Sequence, residues 1–257
     1  MKKYPAIKPK RHTGTEPFIS ASGATISTLQ DFWSWAYSDL IGNTQRGDIA
    51  EYLVACALGV DKETRITWNR YDLLSPEGIR VEVKSAGYIQ SWGQDKLSAI
   101  SFSIPKTHGW DNEDGVYEDE VKRQADVYVF CLHKHEDQET INPLDTTQWE
   151  FYVVPTRVLN DKYGDQKSIS LYRLREIGAV VCRYEELHDR IVGVAHPVMK
   201  VRFIGESDLL SLVHGKVYEV ISVERDCYRV IDETGEDYLY DPGQFEKVNG
   251  DGREVDN

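Results

Sequence analysis

At 257 residues, with 40% apolar side chains, 15 Tyr and 6 Trp, the chain is long enough to bury a core in one large domain, or in a large and a small one. That composition excludes a disordered or fibrous chain, and the net charge of −13 counts against a nucleic-acid-binding surface spread over the whole molecule. The acid is unevenly placed, however: residues 205–257 hold 14 acids and 5 bases, which leaves the rest near balance.

No apolar run reaches membrane-spanning length and no signal peptide opens the chain. Cys56, Cys131, Cys182 and Cys227 form no CxxC pair, so neither a zinc site nor a disulfide framework is expected. A soluble, cytoplasmic protein with no membrane partner follows.

Residues 1–24 begin with Lys2, Lys3, Lys8, Lys10 and Arg11 and no acid before Glu16, a basic flexible arm. Residues 27–40 repeat Leu29, Phe32, Trp33, Ala36, Tyr37 and Leu40 at helical spacing. A second helix is expected over 44–58, stopped by Gly59. Strands follow at 65–74 and 79–86, joined by Ser75-Pro76-Glu77-Gly78, and a third at 97–104 ends before Pro105. Residues 108–124 are rich in acids and read as a mobile loop. Ala125 to Leu132 is apolar almost without interruption and should be a central strand buried on both faces. A strand at 149–154, a short helix from Thr156, a polar segment, a strand at 179–182 and a helix at 185–191 complete an α/β/α layer arrangement.

After residue 203 the pattern changes to short strands at 217–223, 228–232 and 238–240, punctuated by Asp232-Glu233-Thr234-Gly235 and Asp241-Pro242-Gly243 turns. Close-spaced meandering strands suggest a small barrel. The expected organisation is an arm over 1–24, an α/β domain over 25–200, a β module over 203–249 and a disordered tail over 250–257.

Residues 72–84 carry the chemistry. Ile79, Val81 and Val83 alternate with Arg80, Glu82 and Lys84, so Glu82 and Lys84 share a face and the returning strand can bring Asp72 beside them. Two carboxylates and an amine on a rigid paired sheet suit a hard divalent cation and its activated water. On a strand, Glu-x-Lys is also the ordinary pattern of a solvated, charge-paired face.

Asp72 followed by Glu82-Val83-Lys84 resembles the PD-(D/E)xK, or restriction-endonuclease-like, nuclease superfamily, with Tyr71 where a Pro often stands. The resemblance spans roughly residues 44–190 and implies a mixed central sheet flanked by helices. It implies a Mg²⁺- or Mn²⁺-dependent deoxyribonuclease, acting in restriction, defence or repair, with DNA as partner. Asp72, Glu82 and the Val83 carbonyl would hold the ion, and Glu51, on the preceding helix, would complete the site. Lys84 would polarise the attacking water, and Gln90 would supply the polar residue frequent after the ExK strand. The run from Gly215 to Glu246 resembles bacterial SH3-like modules, whose negative charge here favours a protein partner or intramolecular docking over phosphate contact. A homodimer is compatible with this reading. The alternatives are a non-catalytic nucleic-acid-binding relative, or an interaction protein working through the acidic module.

Overall fold

The computed structural model describes residues 4, 7–67, 69–111, 115–195, 199–208, 211–224 and 227–248; the tail expected at 250–257 lies outside the described residues, as do Lys2 and Lys3. Strand β1 (Pro17–Ile19), inside the segment read as a flexible arm, pairs antiparallel with β2 (Thr25–Thr28) just beyond it. Arg11 is anchored too, donating from Nη1 to the carbonyls of Asp61 (2.7 Å) and Lys62 (2.8 Å).

Helix α1 (Leu29–Tyr37) starts at a capping box in which the Thr28 hydroxyl and the Asp31 carboxylate exchange bonds with each other's backbone amides. None of its residues is buried. Helix α2 (Asn43–Ala57) buries Arg46, Ala50, Glu51, Val54 and Ala55. It ends where expected: Gly59, at φ +71°, closes a Schellman motif in which Val60 N–H donates to Ala55 and Gly59 N–H to Cys56.

The hairpin departs from expectation. Strand β3 is only Leu73–Leu74, paired antiparallel with β4 (Arg80–Gly87), and residues 65–67 and 69–72 run outside the sheet. The turn between them closes with Gly78 at φ +83°, a conformation open to glycine at no steric cost. The expected strand at 97–104 shrinks to β5 (Ser101–Ser103), which is not in the main sheet. The acidic stretch read as a mobile loop is an antiparallel hairpin of β6 (Thr107–Asp111) and β7 (Val116–Lys122). It is pinned by Trp110 against Tyr117, 4.7 Å between ring centres, and by an Arg70–Glu118 ion pair of 2.5 Å.

Strand β8 (Val127–His133) is buried at every position. It lies parallel to β4 and antiparallel to β9 (Trp149–Pro155). Helix α3 (Thr156–Tyr163) follows, then β10 (Ser168–Ser170), which pairs with β5, and helix α4 (Leu171–Glu176). These last two occupy the segment read only as polar. Strand β11 (Val180–Cys182) pairs with β9, giving a mixed sheet in the order β11-β9-β8-β4-β3. Helix α5 (Leu187–Ala195) completes the unit.

One face of this sheet packs Val81, Val83, Val129 and Val153 under α2 and α5; the other packs Phe130, Tyr152 and Val154 under α3, α4 and the β5–β10 pair. Each such fully buried side chain contributes roughly 1.5–3 kcal/mol. Among the described residues no helix is long and apolar enough to cross a membrane.

The C-terminal unit begins earlier than residue 203, at β12 (Met199–Phe203), and adds β13 (Val217–Glu224), β14 (Cys227–Ile231), β15 (Asp237–Tyr240) and β16 (Phe245–Val248). It is an open antiparallel sheet, β15-β14-β13-β12-β16, not the closed barrel expected: β16 crosses to pair with β12, leaving β15 and β16 at opposite edges. Arg190 on α5 pairs with Asp237 at 2.5 Å, and Asp237 also takes Arg229 at 2.6 Å. With the Arg157–Glu219 pair, these bonds dock the C-terminal sheet onto the α/β unit.

Candidate functional site

The sheet begins at Leu73, so among the described residues the edge of β4 beyond Val81 has no strand partner on that side. Asp72 uses this gap. Its own amide donates to the Val81 carbonyl (3.1 Å), and its Oδ2 accepts from the Val83 amide at 2.7 Å. The carboxylate thus replaces a missing ladder partner and is fixed against the strand carrying Glu82 and Lys84. Those two side chains pair directly, Lys84 Nζ to Glu82 Oε1 at 2.6 Å, and are only 27% and 19% exposed.

Burial, followed by the Asp72 charge, holds the Glu82 carboxyl above its ordinary range; Lys84 opposes this and Glu51 adds to it. Burial alone would push the Lys84 ammonium down, but Glu82, Asp72 and Glu51 together outweigh it and hold Lys84 above its ordinary value. Asp72, Glu82, Lys84 and Glu51 therefore form one electrostatic cluster. Tyr128, opposite Glu82 on β8, has its phenol pushed up by burial and by the Glu82 charge.

Glu51 reaches this cluster from α2, but both of its oxygens are taken. Arg65 donates from Nε to Oε1 (2.7 Å) and from Nη2 to Oε2 (2.5 Å), and its Nη1 meets Asp48 at 2.8 Å. Burial, countered by the Arg65 bond and reinforced by Asp72 and Asp48, raises the Glu51 carboxyl. Asp48, Glu51, Arg65 and Asp72 line an open cavity of ≈ 430 Å³. Arg65 is the residue that sequence reasoning missed: counted as a strand position, it is instead the clamp over two acids of α2.

Gln90 is not with this group. It is buried on the wall of a second cavity, donating to the Gly87 carbonyl (2.9 Å) and Ser98 Oγ (3.2 Å) while accepting from Arg46. Gln94 folds back onto the Gln90 amide and the Tyr88 carbonyl, and Lys106 pairs with Asp165 away from both cavities. Trp92 is exposed at the rim of the second cavity. Asp126, which opens β8, is bound to Arg80 through both carboxylate oxygens.

Among the described residues no group of three or more His, Cys, Asp or Glu side chains converges closely enough to hold a metal ion. The set Asp72, Glu82, Glu51 and the Val83 carbonyl is therefore not a ready cage, and Arg65 occupies both Glu51 oxygens. The donor chemistry of the rest still suits Mg²⁺ or Mn²⁺. Magnesium commonly takes one or two carboxylates and fills its remaining positions with water and phosphate oxygens. Burial first, and then the Asp72 and Glu51 charges, raise Glu82, and a cation would offset both.

The family model described as bacteriophage T4 endonuclease IV matches residues 15–173. That span contains Arg46, Glu51, Arg65, Asp72, Glu82, Lys84 and Gln90, and stops short of β11, α5 and the C-terminal sheet. No curated protein gives a significant match. Since the match covers more than half of the 257 residues, the chain belongs to the bacteriophage T4 endonuclease IV family.

Proposed function

We propose that this protein is a divalent-metal-dependent nuclease that hydrolyses phosphodiester bonds in DNA, with a site of the PD-(D/E)xK kind. One observation carries the reading. The Asp72 carboxylate is seated on the Val83 amide at the unpaired edge of β4, in electrostatic contact with a buried Glu82–Lys84 pair. Membership in an endonuclease family supports it.

Asp72 and Glu82, with the Val83 carbonyl, would hold Mg²⁺ or Mn²⁺, which when bound acidifies water and neutralises phosphate charge. Lys84, kept protonated by the surrounding carboxylates, acts as a fixed cation toward charge developing on the phosphate and not as a general base. Glu82 orients that ammonium. Arg65 keeps Glu51 and Asp48 paired at the mouth of the cavity, where an incoming phosphate competes for the same guanidinium. The acidic C-terminal sheet, outside the family match, contributes docking onto α5 and α3 and no DNA contact.

The test is incubation with labelled single-stranded and duplex DNA, with and without Mn²⁺. Cleavage should require the metal and disappear in Glu82→Gln. Metal-independent cleavage, or wild-type rates from Glu82→Gln, would refute the proposal.

A further inference from the structure

Past Lys84, β4 runs into the second cavity, of ≈ 320 Å³, whose polar side chains are Asn43, Arg46, Ser85, Gln90, Ser98 and Ser101. Among the described residues no carboxylate lines it, although acids outnumber bases by 13 in the chain. Arg46 is 4% exposed, and every bond it makes is to a neutral oxygen: the carbonyls of Ile41 (3.2 Å) and Ile89 (3.3 Å), Gln90 Oε1 (3.3 Å from each Nη) and Asn43 Oδ1. Its Nε is buried with no partner among the described residues. A buried guanidinium is normally balanced by an anion, because a charge removed from water without a counter-charge costs several kcal/mol.

The surroundings point the same way. Arg46 lies in the first turn of α2, a 15-residue helix whose N-cap, Gly42, offers no capping side chain, so the positive end of the helix dipole faces this region as well. Gly87 is held against the guanidinium: a Cβ there would meet Arg46 Nη1 at 3.3 Å. The other buried orphan nitrogen, His133 Nε2, belongs to the residue paired with Gly87 across the sheet.

We infer that the Arg46 cavity is an anion pocket that receives a phosphate group of the nucleic-acid strand adjacent to the one being cut. Ser85, on its wall, is two residues past Val83, so the pocket begins about 6.6 Å further along β4 than the Asp72 contact. That is comparable with the step from one phosphate to the next along an extended strand. The choice of the strand as the source of the phosphate rests on the nuclease reading; the anion pocket itself does not.

Two variants separate the possibilities. Arg46→Met removes the cation. Gln90→Glu keeps the side-chain shape but places a carboxylate where Oε1 now accepts from both Nη atoms, filling the anion's role from within. Thermal unfolding is followed with EDTA present, in inorganic phosphate against chloride of equal ionic strength, and oligonucleotide binding is followed by anisotropy across a salt series. Phosphate at roughly ten times its Kd should raise the wild-type Tm by about 3–6 °C. Neither variant should respond to phosphate, whatever its own starting Tm, since Gln90→Glu also loses the Nε2 bonds to the Gly87 carbonyl and Ser98 Oγ.

In both variants the slope of log K against log salt for single-stranded DNA should weaken by about 0.7. No phosphate response in the wild type, or an undiminished one in Gln90→Glu, overturns the pocket even if DNA is cleaved normally. A phosphate response lost in Gln90→Glu, from a protein that neither binds nor cuts DNA with metal present, overturns the strand as source and the nuclease reading with it, while the anion pocket stands.

Discussion

Asp72 is asked to do two things, and two substitutions separate them. Its Oδ2 closes the ladder by accepting the Val83 amide at 2.7 Å, and its charge belongs to the cluster with Glu82 and Glu51. Asp72→Asn keeps an oxygen in place and removes the charge; exchanging a charged for a neutral acceptor costs about 1 kcal/mol. Asp72→Ala removes the acceptor as well. Val83 is buried, so its amide is left without a partner at a cost of about 1–3 kcal/mol. The alanine variant should therefore melt several degrees below the asparagine variant, at about 2–4 °C per kcal/mol for a chain of this size.

Activity should not follow that order. Altering groups outside the ligand shell of a metal already costs about 10–100-fold, so on the proposed metal site the loss of one of its two carboxylates should cost at least about 100-fold in either variant. Calorimetry and single-turnover cleavage of a labelled oligonucleotide at saturating Mn²⁺ read the two quantities separately. Cleavage by Asp72→Asn within tenfold of wild type would remove Asp72 from the metal site. Equal melting temperatures would remove the Asp72–Val83 bond from the account of the sheet edge.

Arg65→Met should destabilise by about 2 kcal/mol in urea unfolding, less than the usual 3–5 kcal/mol for breaking a buried pair because Arg65 is itself 45% exposed. Adding Glu51→Gln should recover most of that loss, and failure to do so would deny that Arg65 serves to balance Glu51. His133 supplies a pH signature. Burial pushes it from the usual 6.5 to about 4, so between those values the unfolded chain binds a proton that the folded chain does not. Stability is therefore fully present above pH 6.5 and is lost as pH falls toward 4, by at most about 3 kcal/mol. In His133→Leu that part of the slope should vanish, and an unchanged slope would refute the assignment.

The parts of the fold legible in the sequence are those where one local rule dominates. The apolar run at 125–132 could only be a doubly covered strand, and the alternation of 79–84 could only put Glu82 and Lys84 on one face. The first strand of the hairpin was over-extended because residues 65–71 alternate like a strand, while Arg65 and Arg70 are spent on Glu51 and Glu118 instead. That early exit is what exposes the β4 edge to Asp72. The hairpin at 107–122 was hidden because its acids mask the pattern of strand formers; only the Trp110–Tyr117 pair could have signalled it. Gln90 follows the ExK strand as expected, but it sits on the wall of the Arg46 cavity and not beside Asp72 and Glu82. Its partners Arg46 and Ser98 stand 44 and 8 residues away in the chain, on α2 and just before β5, which no periodicity encodes.

The overall acidity, which argued against DNA, takes on a different meaning when the charges are placed. Asp48, Glu51, Asp72 and Glu82 face two cations, Arg65 and Lys84, an imbalance equal and opposite to one divalent ion. One step along the same strand, Arg46 is a cation with no carboxylate partner among the described residues. A phosphodiester chain crossing this edge would meet both in succession: a surplus of carboxylate that becomes attractive only once a metal has entered, then a guanidinium that is attractive without it. Binding should therefore be weak and carried by Arg46 in EDTA, and should strengthen when metal is added. A protein that held DNA through a general basic surface would show no such dependence. Measuring oligonucleotide affinity with EDTA and with Ca²⁺ decides between the two: equal affinities would place the DNA contact away from the Asp72 and Glu82 carboxylates.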